Sequence, residues 1–217
     1  MNLVAEDPTQ ETAPGQITPE EMVAAIESSG YLIEARISRI LRQRGFFVES
    51  NIFGTDPSDP DKAIEADVVG RYREIIHDEN NGSVTAAVFV ECKNNSQPLA
   101  FFVQPQQVTE IDDNRIKCGG FPAFSMDQET QIQVPMRKLL QMKDWHHYCQ
   151  VQEVATQFCT FERSGKKWKA GPNRNYSASF SKISLMASLD IDGGYSAPLH
   201  NIQFQLSYPV VVFQGPI

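Results

Sequence analysis

Polar and apolar positions divide this chain into helical and extended stretches. Thr18-Pro19-Glu20-Glu21 is a helix start, with Thr as N-cap, Pro at the first helical position and Glu21 closing a capping box. Ser28-Ser29-Gly30 interrupts that helix, and a second follows from about Tyr31 to Arg44, stopped by Gly45. Residues 46–53 (FFVESNIF) read as a strand, a Pro/Asp-rich loop spans Thr55 to Asp61, and a second strand covers about Ile64 to Ile76. His77 to Gly82 (HDENNG) has the composition of a hairpin turn. The clearest strand is 84–93 (VTAAVFVECK), apolar, partly β-branched and bounded by turns. Beyond it, Leu99–Val103 is a short apolar run and 127–147 has helical periodicity. Val151–Phe161 is a strand, Ser179–Leu189 a helix and Tyr208–Phe213 a buried strand. Helix, strands, then mixed elements predict an α/β sandwich around a central mixed β-sheet flanked by helices, one domain over 18–217. Residues 1–17, rich in Pro, Thr, Gln and Glu, read as a disordered acidic tail. The chain stops a few residues after its last apolar strand, which fits a domain end or a C-terminal truncation alike.

Charge complicates this picture. The net charge of −8 over 217 residues argues against a general nucleic-acid binder, which carries a basic footprint. Yet residues 1–35 hold seven acids and no Lys or Arg, whereas Arg115 to Lys182 holds eleven bases against five acids. A second acidic cluster runs through Asp56, Asp59, Asp61, Glu65 and Asp67. A domain polarised in this way can meet a polyanion with one face and hold cations with another. The sequence shows no apolar run long enough to span a bilayer and no leader, so a cytoplasmic protein is expected. Cys92, Cys118, Cys149 and Cys159 form no CxxC pair, as expected of reduced thiols. His146, His147 and Cys149 lack a matched second pair at zinc-site spacing and read as a helix end near a strand.

The chemistry concentrates in Glu91-Cys92-Lys93. Alternation puts Glu91 and Lys93 on one side of the strand and Cys92 on the other. Asp67 sits amid apolar neighbours in the preceding strand, and a hairpin across HDENNG brings it toward Glu91. Two converging carboxylates repel unless a cation lies between them, and hard cations such as Mg²⁺ favour such oxygens. Glu34 shares a helix face with Ile37 and Leu41, where a carboxylate is costly unless something binds it.

A helix with an inward Glu, then Glu-x-Asp-Val-Val, a hairpin and Val-Phe-Val-Glu-x-Lys resembles the PD-(D/E)xK, or restriction-endonuclease-like, nuclease superfamily, over roughly residues 31–103. Ala66 stands where the motif's proline would be. The resemblance implies that Asp67, Glu91 and the backbone carbonyl of Cys92 bind Mg²⁺ or Mn²⁺. It casts Lys93 as the catalytic lysine and Glu34 as a supporting acid. The implied reaction is hydrolysis of DNA phosphodiesters by metal-activated water, with RNA also open as a substrate. A polar group after the third strand, Gln104, Gln106 or Gln107, has a counterpart in the pattern.

Substrate contacts are expected from Arg36, Arg39, Arg42 and Arg44 on the helix of Glu34, and from Lys166, Lys167 and Lys169 around Trp168. Thr18–Glu27 is either a surface helix or a homodimer contact. The alternative function is a non-catalytic module that keeps the nuclease fold and binds nucleic acid or protein.

Overall fold

Helix α1 (Pro19–Ser28) opens the computed structural model, which describes residues 17–77, 82–95, 97–106, 124–126, 129–135, 138, 141, 144, 147–171, 174–193 and 203–215. Its capping box forms as the sequence predicts: Thr18 Oγ1 accepts from the Glu21 amide at 3.1 Å, and Glu21 accepts from the Thr18 amide at 2.9 Å. No residue of α1 is buried. Helix α2 (Tyr31–Gln43) follows, and Gly45 ends it at φ +84°, a conformation that glycine adopts without steric cost. Of the expected tail, only Ile17 lies within the described residues.

Strands β1 (Phe47–Asp56), β2 (Asp59–His77) and β3 (Gly82–Asn94) form an antiparallel meander. The loop expected over Thr55–Asp61 is instead a tight hairpin, with only Pro57 and Ser58 between the strands. The Asp56 carboxylate accepts from the Ser58 amide at 2.9 Å and from its hydroxyl at 2.7 Å, so the Pro/Asp-rich composition makes a turn. After β4 (Leu99–Pro105) come the short pair β5 (Phe124–Met126) and β6 (Gln133–Pro135). The helix expected over 127–147 is therefore not formed at 133–135, and most of its remaining length lies outside the described residues. A helical turn at His147–Gln150 leads into β7 (Glu153–Ser164), β8 (Lys167–Gly171), helix α3 (Arg174–Gly193) and β9 (Gln203–Gln214).

The main sheet has the order β1-β2-β3-β9, with β9 parallel to β3, so it is mixed as expected. Helices cover both of its faces. Ile33 of α2 packs with Val48, Val68, Val90 and Cys92 on one face. Ile183, Met186 and Ala187 of α3 pack with Ile64, Ala66, Val69, Ala87 and Phe89 on the other. A second sheet, β4-β7-β8, joins this body through Phe101, Phe158, Tyr176, Phe180 and Phe213, whose ring centroids lie 5.1–6.3 Å apart along the contacting pairs. No helix among the described residues is long and apolar enough to cross a membrane.

Strand β3 alternates strictly: Ala87, Phe89 and Glu91 face α3, while Val90 and Cys92 face α2. Strands β1 and β2 do not. Val48 and Val68 pack on the α2 side, whereas Ile52, Ile64 and Ala66 pack on the α3 side. Both strands change face at the level of Asn51 and Asp67, and Asn51 has φ +55°. A left-handed residue within a strand re-aims the chain beyond it, and Asn tolerates that conformation better than most.

Gly70 marks how closely α2 approaches the sheet: a Cβ there would lie 3.0 Å from Leu41 Cδ1 and 3.3 Å from Phe46 Cδ1. Gly70→Val is expected to destabilise the fold by about 1–3 kcal/mol through overpacking, read from denaturant midpoints. An unchanged midpoint would show that α2 is not seated on this strand as described.

Candidate functional site

The β2–β3 ladder runs from His77–Gly82 to Val68–Val90 and ends there, while β3 continues beside β9 to Asn94–Gln214. At that fork the Cys92 amide, no longer paired with β2 backbone, donates to Asp67 Oδ2 at 2.6 Å. A side-chain carboxylate thus stands in for a strand carbonyl. This fixes Asp67 beside Glu91, as the hairpin reasoning expected.

Glu91 is the most constrained charge described. It is 1% exposed. Lys93 Nζ lies 2.6 Å from its Oε1, Lys182 Nζ lies 2.5 Å from its Oε2, and the Ser179 hydroxyl donates to Oε1 at 3.3 Å. Burying a carboxylate demands such partners. Lys93 comes from the same strand two residues on, whereas Ser179 and Lys182 share one face of α3 at a spacing of three.

Glu34 is half-buried on α2, beside the fully packed Ile33, in a shallow depression shared with Tyr31, Ser38, Arg42 and Ser50. Burial, then the charges of Asp67, Glu65 and Glu91, raise its pKa, with Lys93 opposing. Burial likewise raises the pKa of Asp67, as does Glu91, while the Cys92 amide, Lys182 and Lys93 pull it down. The Cys92 thiol, pushed up to about 12 by burial and by Asp67, Glu34 and Glu91, is a neutral core group. Glu34, Asp67 and Glu91 therefore share one electrostatic neighbourhood whose negative charge is only partly offset.

That neighbourhood suits a hard divalent cation in its donor chemistry. Among the described residues there is no group of three or more His, Cys, Asp or Glu side chains arranged to hold a metal. Mg²⁺ does not need one: it is held by one or two carboxylates, retains several waters and takes further oxygens from a phosphate. Asp67, Glu91 and the Cys92 carbonyl are the oxygens such an ion would use, and a cation would offset the burial, and after it the Glu91 charge, that raise the pKa of Asp67.

Other expected site residues lie apart from this centre. Arg36 and Arg39 are exposed on α2, and Arg42 is the arginine that shares the depression with Glu34. Lys166, Lys167 and Lys169 are exposed on the β7–β8 hairpin, where Trp168 is 59% exposed rather than packed. Gln104 is exposed on β4, the Gln106 amide donates to the Gln152 carbonyl, and Gln107 lies outside the described residues. His147 and Cys149 sit on the helical turn before β7, as a helix end near a strand, and His146 and Cys118 are outside the described residues. Among the described residues, Cys92, Cys149 and Cys159 form no disulfide. Lys182, Ser179 and the Asn51 kink are the features sequence reasoning missed. A lone lysine in an amphipathic helix gives no signal until the sheet beneath it is known.

Comparison with known proteins returns no matching family model, no matching curated protein and no matching solved structure.

The raised Asp67 pKa makes a pH prediction. A carboxyl group whose folded pKa exceeds its unfolded value favours the fold when protonated, and that contribution is lost as pH rises through the folded pKa. Asp67→Asn, which keeps an oxygen for the Cys92 amide, is expected to melt higher than wild type at pH 7. The difference should close as pH falls into the ordinary carboxylate range. Thermal melts across that range check it, and a variant less stable than wild type at pH 7 would contradict the electrostatic account.

Proposed function

We propose that this chain is a divalent-metal-dependent nuclease of the restriction-endonuclease-like fold, hydrolysing DNA phosphodiesters in the cytoplasm. The observation that carries the reading is the fork between β2 and β3, where Asp67, held by the Cys92 amide, lies beside the Glu91–Lys93 pair. Asp67, Glu91 and the Cys92 carbonyl would hold Mg²⁺ or Mn²⁺. When bound, the cation supplies charge neutralisation to the phosphodiester and lowers the pKa of coordinated water. Lys93, a third exposed and paired with Glu91, would stabilise charge developing on the phosphate oxygens. Glu34 adds a nearby carboxylate that favours cation binding at Asp67 and carries a proton more readily than an ordinary glutamate. The exposed Lys166, Lys167, Trp168 and Lys169 would supply backbone and stacking contacts away from the reacting centre.

One observation favours a second reading. Both Glu91 oxygens already face ammonium groups, so the cluster is satisfied electrostatically without a metal. A module that keeps this fold and binds nucleic acid or protein without cutting would need no more.

Cleavage of plasmid and of labelled oligonucleotides, with Mg²⁺ or Mn²⁺, separates the two. Wild type is expected to cut, and Lys93→Ala and Asp67→Ala to cut roughly 10²–10³-fold more slowly, the usual loss on removing one transition-state-stabilising group. Equal rates in all three would defeat the site assignment. Binding without cleavage under every metal condition would favour the second reading.

A further inference from the structure

Beside Glu91, on the α3 face of the sheet, lies an open cleft of about 500 Å³ lined by Asp56, Lys62, Glu91, Lys93, Ser179 and Lys182 among others. Asp56 is paired with Lys62 at 3.7 Å, and hydrogen bonds from Ser58 hold its carboxyl below the usual range, keeping it ionised. Glu91 can neutralise one ammonium but has two, from Lys93 and Lys182. Three ammonium groups, of Lys62, Lys93 and Lys182, line the cleft, with Asp56 and Glu91 in its wall and Asp67 interacting electrostatically with Lys93 and Lys182. A phosphodiester entering the cleft would meet these ammonium groups.

Lys182 is built for the position. Tyr176, Ser179, Ile183, Met186 and Ala187 define the buried stripe of α3, and Lys182 lies on its margin. Its stem runs along the packed surface while its head, on a side chain 28% exposed, reaches Glu91 at the cleft wall. A lysine needed only to neutralise Glu91 would be redundant, since Lys93 already does so at 2.6 Å.

We propose that Lys182 is a second phosphate-anchoring lysine of this site, holding a phosphodiester of the nucleic-acid strand in the cleft between α3 and β3. The inference rests on the nuclease reading for its substrate class, but its test does not depend on turnover. Fluorescence anisotropy with a labelled DNA duplex and the matching single strand, in EDTA, gives the affinity of each variant as a function of salt. Lys182→Gln is expected to weaken binding roughly tenfold, the scale of one charged hydrogen bond. It should also lower the slope of log affinity against log salt by about 1, the signature of one lost phosphate contact. Lys182→Arg, which keeps the charge, is expected to restore the slope. Should Lys182→Gln fail to fold, Glu91→Gln/Lys182→Gln compared with Glu91→Gln reads the same loss without orphaning a carboxylate.

A Lys182→Gln protein with wild-type affinity and slope would overturn the anchor, and so would a wild-type chain that binds neither DNA. If the slope falls as expected but wild type cuts nothing with Mg²⁺ or Mn²⁺, the anchor stands and the nuclease reading fails. If wild type cuts and the slope is unmoved, the reverse holds.

Discussion

A carboxylate almost wholly out of water, gripped by ammonium groups from two different elements, ties this structure together. Glu91 belongs to β3, the last strand of the meander, Lys93 to the same strand and Lys182 to the helix laid over it. An uncompensated charge at this depth would cost several kcal/mol. Lys93 offsets it from within the strand, and the register in which α3 docks adds Lys182 at the second oxygen and the Ser179 hydroxyl at the first. Ile183, Met186 and Ala187 bury the apolar stripe of α3 against the sheet, but such contacts are compatible with small shifts along the helix. The ion pair and the Ser179 hydroxyl are not. Specificity of packing and concentration of charge thus arise at the same residue.

Access to that charge depends on the sheet coming apart in one place. Strand β3 leaves β2 after the Val68–Val90 pair yet stays hydrogen-bonded to β9, so the fork opens on the β2 side only. The face change at Asn51 and Asp67 turns the outer half of the β1–β2 hairpin toward α3, which brings Asp56, Lys62 and Ile64 into the cleft wall. Asp67 sits at the hinge of this arrangement, its carboxylate capping the Cys92 amide that the departing strand leaves without a ladder partner. That carboxylate faces Glu91 on its other side, with Lys93 and Lys182 as the positive charges that partly offset the two acids.

Much of this was legible in the residue pattern. The helix caps at Thr18 and Gly45, the apolar run of β3 and its hairpin pairing with β2 before it follow from local rules that tertiary contacts did not override. Alternation alone put Glu91 and Lys93 on one face, and turn composition put Asp67 opposite them. What could not be read were consequences of distance. Lys182 lies 91 residues from Glu91, and nothing in a single lysine marks which strand its helix will cover. The Asn51 kink looks like any polar residue in a strand. The Pro57–Ser58 turn was hidden because proline and aspartate suggest a long loop and a tight turn equally, and only the Asp56 hydrogen bonds to Ser58 decide it. At residues 133–135 helical spacing gave way to a short strand pairing with 124–126, a choice made by partners and not by period.

The central claim is that Asp67 and Glu91 share a divalent cation, and direct titration of Mn²⁺ followed by electron paramagnetic resonance tests it apart from any substrate. The account expects one ion bound per wild-type chain, competed by Mg²⁺, and a loss of that site in a folded Asp67→Asn variant. No bound Mn²⁺ in wild type, or a site unchanged by Asp67→Asn, would contradict it.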